Sequence, residues 1–501
     1  MNEIPEQTNI GKSVAQNVSV MFGAQVVTWG SSFLLLYFLP RYLGPEDFGR
    51  LYLALSIKMI LGLLIDFGGN YLIPKEVARS EKKGADILSS YIMLRIFLWV
   101  LSIGLILFIS NLLGYSQHVH LLIIILIIAK LWEGVTSAFS AYFQGIEKMK
   151  YPSMGTIVER LFVAVAGVGA LLLGADSIGV AIVITIGAFL NLLVIYWFSR
   201  RVVRVSYRFE PKIFSLLRSG MPFFLFSLFS VIYYRIDAVM LASLTSDEVT
   251  GWYGGAFRFF DIVMVLPLLY MTAIFPVFSK LWDNKGGVLE NTVGQSLRLM
   301  VLFGIPTALV IYLFSEPIIQ FFMGLEAYGP SVLILNVFAL SIPIIFIDII
   351  LGSALMGAAN KQKAWAIVGL FAIILNISAN YILIPYTQTI YANGGIGAAI
   401  ATFITELFVM GSAFYLLPKG YLQTFKISYF IKPIIASIIM LIPILLIMHF
   451  TGLYWMFVLA LGGIVYITAL FLIKTFNAEE VNLIKIMVFS SQKKLIHFIK
   501  K

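Results

Sequence analysis

Long apolar runs recur along the whole chain, and they restrict its fold more than any other feature. About fourteen of them are long enough to cross a bilayer, for which a helix needs about 20 residues. Because hydrocarbon cannot hydrogen-bond exposed backbone groups, such runs are predicted to be transmembrane helices. The predicted spans cover residues 13–39, 48–73, 87–113, 119–144, 153–174, 177–199, 214–242, 250–279, 292–314, 328–357, 364–385, 394–417, 428–449 and 453–473.

The composition excludes a water-soluble globular protein. Hydrophobic residues make up 60% of the 501 residues, charged residues make up 12%, and the mean hydropathy is +0.95. The chain contains no cysteine, which excludes disulfides, thiolate metal ligands and cysteine nucleophiles. The four histidines, His118, His120, His449 and His497, fall at the edges of predicted spans. We therefore predict no metal site and no cofactor.

Basic residues alternate between successive loops, and this alternation predicts the topology. With a cytoplasmic N-terminus, 24 basic residues fall on the cytoplasmic side and one, Arg41, falls on the other side. The positive-inside rule therefore places both termini in the cytoplasm, and we predict no cleaved signal peptide. The net charge of +10 needs no nucleic-acid partner. The cytoplasmic set is Lys12, Lys75, Arg79, Lys82, Lys83, Lys148, Lys150, Arg200, Arg201, Arg204, Arg208, Lys212, Lys280, Lys285, Lys361, Lys363, Lys419, Lys426 and the six lysines after residue 473.

The second half of the chain repeats short motifs of the first half in the same order. Each match falls at the same place among the spans, which favours two six-helix lobes of like orientation. Parallel repeats of this kind place a substrate cavity between the lobes and expose it alternately to the two sides. The matched segments are Phe48–Ala54 with Thr250–Ala256, Gln144–Lys148 with Met356–Lys361, and Ile178–Ile182 with Ile396–Ile400.

These observations predict an all-α polytopic membrane protein with four parts. They are an N-lobe at 1–209, a C-lobe at 210–427, two trailing helices at 428–476 and an amphipathic tail at 477–501 on the cytoplasmic leaflet. The connections are too short for an extramembrane catalytic domain. Since the sequence also contains no phosphate-binding glycine loop and no nucleophile motif, we predict a transporter rather than a membrane-embedded ligase or polymerase.

Ionisable residues within the predicted spans mark the candidate site, because each costs about 2.5 to 3.5 kcal/mol to insert. Fixed cations in a low dielectric bind phosphate strongly, so Lys58, Arg235 and Arg258 are predicted to form a cationic substrate cavity. Acids within the spans can bind a coupling H⁺ or Na⁺. The candidates for ion coupling are Glu133, Asp237, Asp261 and Asp348.

Four motifs carry a family resemblance that covers essentially the whole chain. They are Tyr42-Leu43-Gly44-Pro45-Glu46-Asp47-Phe48-Gly49 after the first span, Asp66-Phe67-Gly68 in the second, Arg235-Ile236-Asp237 in the seventh and Gly394-Gly395-Ile396-Gly397-Ala398-Ala399 at the start of the twelfth. With them the sequence resembles the polysaccharide flippase branch of the multidrug/oligosaccharidyl-lipid/polysaccharide exporter superfamily.

The resemblance implies a carrier of lipid-linked glycan in a bacterial or archaeal plasma membrane. The implied substrate is an undecaprenyl-diphosphate-linked oligosaccharide, moved from the inner to the outer leaflet for O-antigen, capsule or exopolysaccharide assembly. Other polysaccharide assembly proteins are the implied partners. Two alternatives stay open. A multidrug cation antiporter of the same superfamily would have a mainly acidic cavity, and a lipid II flippase would share the cationic one.

Overall fold

The computed structural model describes residues 4–205, 213–282, 287–417, 428–451 and 455–475. The predicted tail at 477–501 lies outside these residues, as do Arg208, Lys212, Lys285, Lys419 and Lys426. The predicted all-α class is confirmed in the described ranges, where every regular element is helical.

The helices follow the predicted spans closely but divide them differently in two places. A long first helix includes the first predicted span and most of the second, and a π-helical segment, Ile349–Leu355, interrupts the tenth. The helices are α1 (Ile4–Asp66), α2 (Gly69–Arg79), α3 (Glu81–Leu112), α4 (Gln117–Gly145), α5 (Lys150–Leu172), α6 (Ser177–Ser199), α7 (Ile213–Leu244), α8 (Asp247–Leu281), α9 (Val288–Phe322), α10 (Leu325–Tyr328), α11 (Ser331–Asp348), α12 (Met356–Ala358), α13 (Gln362–Tyr391), α14 (Gly394–Leu416), α15 (Ser428–Thr451) and α16 (Trp455–Leu472).

Two glycine-containing breaks shape the N-terminal part of the chain. Gly44 interrupts α1 with φ 70° and ψ 172°, a conformation that glycine adopts without a steric penalty, and Pro45 follows it. Phe67 and Gly68 then separate α1 from α2 with φ of 42° and 77°. Both breaks fall in motifs that carry the family resemblance, so these motifs mark places where the backbone turns.

Twelve helical stretches among the described residues are long and apolar enough to cross a membrane. The first of them, Val20–Arg79, has 60 residues, about three times the length that one crossing needs. The break at Gly44 lies within it. The predicted number of about fourteen spans is not confirmed and stays a prediction.

The chain packs as two units. The first contains Met1–Phe259, Ile318–Val337 and Lys363–Thr405, and the second contains Phe260–Pro317, Phe338–Gln362 and Glu406–Lys501. The division predicted from the repeat, with lobes at 1–209 and 210–427, stays a prediction.

The core of the first unit is built largely from α2, α3 and α4. Leu88 and Tyr91 on α3 and Phe143 on α4 are completely buried in it, together with Ile73 on α2 and Ile195 on α6. Apolar side chains packed from several helices stabilise this core by dispersion as well as by exclusion from solvent.

In the second unit, α15 and α16 pack closely on one another. A Cβ added to Gly462 would lie 2.6 Å from Ile444, so the glycine permits this approach. Tyr466 on α16 donates a hydrogen bond of 2.7 Å to the carbonyl of Leu302 on α9. The Phe260 and Phe338 rings stack at 4.9 Å between centroids.

The repeat predicted from the sequence has a local structural counterpart at the ends of α4 and α12. Glu147 and Asn360 both adopt left-handed backbone conformations, with φ of 57° and 55°. The lysine that follows each one, Lys148 or Lys361, donates its backbone N–H to the carbonyl five residues earlier, at 2.8 and 3.0 Å. This is the Schellman pattern of a helix C-terminus. The two matched motifs therefore form the same turn.

A buried arginine ties three helices together in the first unit. Arg95 on α3 is 1% exposed, and its Nη2 contacts Asp66 and donates to Asn70 Oδ1 at 3.1 Å. Its Nη1 donates to the Gly134 carbonyl at 2.7 Å and to Ser137 Oγ at 2.9 Å. The side chain thus holds the ends of α1 and α2 against α4.

Replacing Arg95 with Met is expected to destabilise the protein by about 3 kcal/mol, because it leaves the Asp66 carboxylate without its cation. Thermal denaturation of the purified protein in detergent measures this loss. Arg79→Met is the control, since Arg79 is two-thirds exposed and pairs with Glu76 one turn away on the same helix. Equal denaturation midpoints for the two variants would contradict the structural role of Arg95.

Candidate functional site

Two glycines at matched repeat positions allow α1 and α8 to cross at very short range in the first unit. A Cβ on Gly49 would lie 1.8 Å from the carbonyl oxygen of Asp247, and a Cβ on Gly251 would lie 1.9 Å from that of Pro45. Gly49 corresponds to Gly251 in the repeat, and Pro45 corresponds to Asp247 at the same offset. Each glycine therefore contacts the helix of the other at a corresponding residue, so the crossing is symmetric with respect to the repeat. Only glycine fits at either position.

An ionic cluster joins the two helices beside this crossing. Arg50 on α1 donates from Nε to Asp247 Oδ2 on α8 at 2.9 Å and from Nη1 to Asp47 Oδ1 at 2.8 Å. Its Nη2 also contacts Glu46. Charge-assisted bonds to carboxylates are about twice as strong as neutral ones. We call Arg50, Glu46, Asp47 and Asp247 the Arg50 cluster.

Arg41, the one basic residue on the predicted outer side, bonds the C-terminus of α9. Its guanidinium donates to the carbonyls of Gln320, Phe321 and Phe322 at 3.1, 2.6 and 3.2 Å. A cation at this position satisfies carbonyls that lack an intrahelical partner and opposes the negative end of the helix dipole. A structural role therefore accounts for this exception to the charge alternation.

Two of the three predicted substrate-binding cations lie on the faces of one aromatic cluster. The Arg235 guanidinium lies 5.9 Å from the centre of the Tyr52 ring and 5.4 Å from that of Phe257, and its Nη1 donates to Tyr52 Oη at 3.3 Å. The Arg258 guanidinium lies 4.9 Å from the centre of the Phe48 ring, which stacks on Tyr52. Both side chains are half-buried. Cation–π contacts help to orient both guanidinium groups.

The third predicted cation, Lys58, forms an ion pair with an acid that was predicted to act separately. Lys58 Nζ donates to Glu133 Oε1 at 2.6 Å, and Lys130 Nζ donates to Glu133 Oε2 at 3.2 Å. The side chains are only 14% to 26% exposed. Two lysines on one carboxylate leave one positive charge in excess. Lys58 also adjoins Met59, whose sulfur accepts from Arg235 Nε at 3.3 Å.

Asp237 lies two residues from Arg235 and is buried among uncharged donors. It accepts from Tyr253 Oη at 2.7 Å, Asn380 Nδ2 at 2.6 Å and Thr402 Oγ1 at 3.0 Å. Asn380 also donates to Asn376 Oδ1 at 2.9 Å. The carboxyl is 4% exposed. The three donors are neutral hydroxyl and amide groups, and they orient the carboxyl by hydrogen bonds.

The other two predicted ion-coupling acids lie in the second unit. Asp261 is half-buried on α8. Asp348 is buried at the end of α11, directly before the π-helical segment, and lies close enough to the buried Glu406 for the two carboxyls to interact electrostatically. Among the described residues, no group of three or more His, Cys, Asp or Glu side chains is placed to hold a metal ion.

Comparison with known sequences assigns the family. A profile described as "Polysaccharide biosynthesis protein" matches residues 14–282, which is more than half of the chain. The chain belongs to this family. A second profile, described as "MatE", matches residues 222–382.

Relatives of known name and a solved structure agree with this family. The chain is 24% identical to a probable low-salt glycan biosynthesis flippase of Haloferax volcanii, over 78% of this chain and 80% of the relative. It is 21% identical to a putative O-antigen transporter of Shigella dysenteriae, over 79% and 98% of the two chains. The structure of the lipid II flippase MurJ in an inward closed conformation superposes with a TM-score of 0.72 at 20% identity, over 91% of this chain and 98% of that one.

These comparisons confirm the predicted resemblance to polysaccharide flippases and the prediction of a polytopic membrane transporter rather than an enzyme. The structural likeness to MurJ supports the same fold. The roles predicted for the individual site residues are tested by neither comparison and stay predictions.

The sequence analysis missed several residues that complete these sites. Arg95 was not predicted, although an arginine within an apolar span indicates a buried partner or a functional site. Asn376 and Asn380 are four residues apart on α13, a spacing that places two amides on one helix face. The bond from Asn380 to Asp237, 143 residues away along the chain, could not be predicted from spacing.

Gly251→Leu is expected to abolish export, because a side chain larger than hydrogen at this position cannot coexist with the observed crossing of α1 and α8. Surface polysaccharide and membrane-inserted protein are measured in cells that lack the native copy. Gly30→Leu on α1 is the matched control, since a Cβ at Gly30 meets nothing within 4 Å. Normal export by the Gly251 variant would show that transport does not need this crossing.

Proposed function

We propose that this protein moves an undecaprenyl-diphosphate-linked oligosaccharide from the inner to the outer leaflet of the plasma membrane. Its membership of the polysaccharide biosynthesis protein family supports the proposal, as do the names of its relatives, a glycan flippase and an O-antigen transporter. The fold it shares with MurJ is that of a membrane transporter. The pair of arginines on one aromatic cluster is the observation that supports a substrate with phosphate groups.

The two arginines suit a diphosphate. Guanidinium groups bind phosphate oxygens through paired N–H donors, and Arg235 and Arg258 both lie on ring faces of one aromatic cluster. The positive charge in excess at Lys58, Lys130 and Glu133 adds to the attraction. Sugar rings pack well on aromatic side chains, which the same cluster supplies.

The cationic character weighs against a multidrug cation antiporter, the first alternative, because positive side chains would repel its substrate. The match of the MatE profile to residues 222–382 is in keeping with common ancestry across the superfamily. A lipid II flippase, the second alternative, would use the same diphosphate chemistry and differ in the glycan.

Transport proceeds by alternating access in this proposal. The α1–α8 crossing and the Arg50 cluster close the predicted outer side, and they must separate before the oligosaccharide reaches the outer leaflet. An arginine shared among three carboxylates forms bonds that can be exchanged for water at modest cost near a surface. Both termini remain in the cytoplasm, and other polysaccharide assembly proteins receive the product.

Ion coupling is assigned to Asp237. A buried carboxyl among neutral donors changes charge when it binds a proton or Na⁺, and this change alters the stability of the surrounding helices. Because Asp237 is two residues from Arg235 on α7, a rearrangement of its bonds moves the helix that carries the substrate-binding arginine. Glu133, Asp261 and Asp348 are secondary candidates.

Arg235→Ala and Arg258→Ala are each expected to reduce transport at least about tenfold, since each removes charge-assisted bonds to phosphate. Surface polysaccharide is measured relative to the amount of membrane-inserted protein. Arg79→Ala, which removes an exposed arginine from α2, should leave transport unchanged. Normal polysaccharide from both variants at native protein levels would contradict the cationic site.

Asp237→Asn is expected to abolish the response of transport to an ion gradient while preserving the fold, because the amide oxygen can still accept from Tyr253 and Thr402. Transport in reconstituted vesicles is measured with an imposed ΔpH or Na⁺ gradient. Asp176→Asn at the exposed start of α6 is the control. A gradient response of native size in the Asp237 variant would assign coupling to another group.

A further inference from the structure

An apolar groove lies beside the start of α5 and the end of α6 in the first unit. Its volume is about 820 Å³, and its walls include Met154, Ile157 and Val158 on α5 and Leu193 and Trp197 on α6. Its lining also includes Tyr196 and Arg200, the latter directly after α6. We call this cavity the α5–α6 groove.

Tight packing beneath the groove explains why it persists. A Cβ on Gly155 would lie 2.1 Å from Asn191 Oδ1, and a Cβ on Gly187 would lie 2.4 Å from Val163. Asn191 also donates to Glu159 Oε2 at 2.7 Å. These contacts hold α5 and α6 directly against one another, and large side chains of the same two helices form the walls of the groove.

The groove ends at a strongly basic rim. Lys148 precedes α5, Lys150 begins it, and Arg200, Arg201 and Arg204 follow α6. All five are exposed, and among the described residues of these two connections Glu147 is the exposed acid. The Arg201 guanidinium lies 4.5 Å from the centre of the Trp197 ring. Tryptophan at the level of the lipid headgroups and basic residues just beyond it are typical of the cytoplasmic membrane boundary.

We propose that the α5–α6 groove binds one anionic phospholipid of the cytoplasmic leaflet. An acyl chain packs against Met154, Val158 and Leu193, while the phosphate accepts hydrogen bonds from Arg200 and Arg201. The apolar walls select a hydrocarbon chain, and the excess of basic residues at the rim selects a negative headgroup, as in other basic pockets on the cytoplasmic side of membrane proteins. This lipid is distinct from the transported substrate.

The test uses the purified full chain in detergent. Phosphatidylglycerol is titrated in, and phosphatidylcholine with the same acyl chains is the zwitterionic control. A ligand that binds the folded state raises the thermal denaturation midpoint with concentration. We expect phosphatidylglycerol to raise it in native protein and phosphatidylcholine to raise it little. Equal shifts with the two lipids would overturn the proposal.

Variants locate the binding. Arg200→Gln with Arg201→Gln should weaken phosphatidylglycerol binding about 30-fold, which corresponds to a contribution of about 1 kcal/mol from each basic residue at a membrane surface. The matched control is Lys75→Gln with Arg79→Gln, which removes two exposed charges on α2. Val158→Trp fills the groove without a change of charge and should also weaken binding. Native affinity in either groove variant would overturn the proposal.

A competition separates the phospholipid from the substrate lipid. Undecaprenyl phosphate also joins a long chain to a phosphate, so it is added to protein saturated with phosphatidylglycerol. Retention of the phospholipid at an equimolar concentration supports the proposal. Displacement would instead make the groove part of the substrate path. That outcome leaves the proposed function standing, so the two proposals fail separately.

Discussion

The cost of placing an ionised side chain in hydrocarbon governs the interior of this protein. Each such group costs a few kcal/mol unless a partner compensates it, and the first unit provides three kinds of compensation. Arg95 is paired with Asp66 and backbone carbonyls, Lys58 shares Glu133 with Lys130, and Asp237 accepts from neutral hydroxyls and an amide. Arg235 and Arg258 also lie against aromatic ring faces, which orient a guanidinium group.

The second constraint is the close crossing of α1 and α8. Gly49 on α1 packs against the backbone of α8, and Gly251 on α8 packs against the backbone of α1. The Arg50 cluster adds charged hydrogen bonds beside this crossing. Backbone contact of this kind is specific in geometry but buries little apolar surface, and the bonds beside it are partly exposed. A contact with these properties can be firm when formed and still separate during transport.

Much of the fold follows from the sequence because a bilayer permits few solutions. Apolar runs of fixed length predict helices, and the all-α class is confirmed in the described ranges. Alternating basic loops predict the direction of each helix, and this orientation stays a prediction. The motif at Gly44-Pro45 falls at a real break in α1, and the matched turns at Glu147 and Asn360 give the repeat a structural basis. Apolar runs alone do not determine the number of spans. A helix such as α1 can continue past a glycine kink and include two predicted spans.

The site was harder to predict, because helical spacing describes only neighbours on one helix. Lys130 and Glu133 are three residues apart on α4 and bond within one helix turn, but Lys58 bonds Glu133 across 75 residues. The partners of Asp237 come from α8, α13 and α14 for the same reason. Such pairings depend on which helix faces meet, and periodicity does not determine that in a chain apolar on nearly all sides.

The most direct test of the account is a leaflet-accessibility assay on the purified protein in vesicles. An undecaprenyl-diphosphate-linked oligosaccharide with a fluorescent label on its glycan is placed in one leaflet, and an impermeant quencher reports its arrival in the other. The account predicts movement that requires the protein and is inhibited by excess unlabelled substrate. Movement of lipophilic cations with none of the lipid-linked glycan would contradict it.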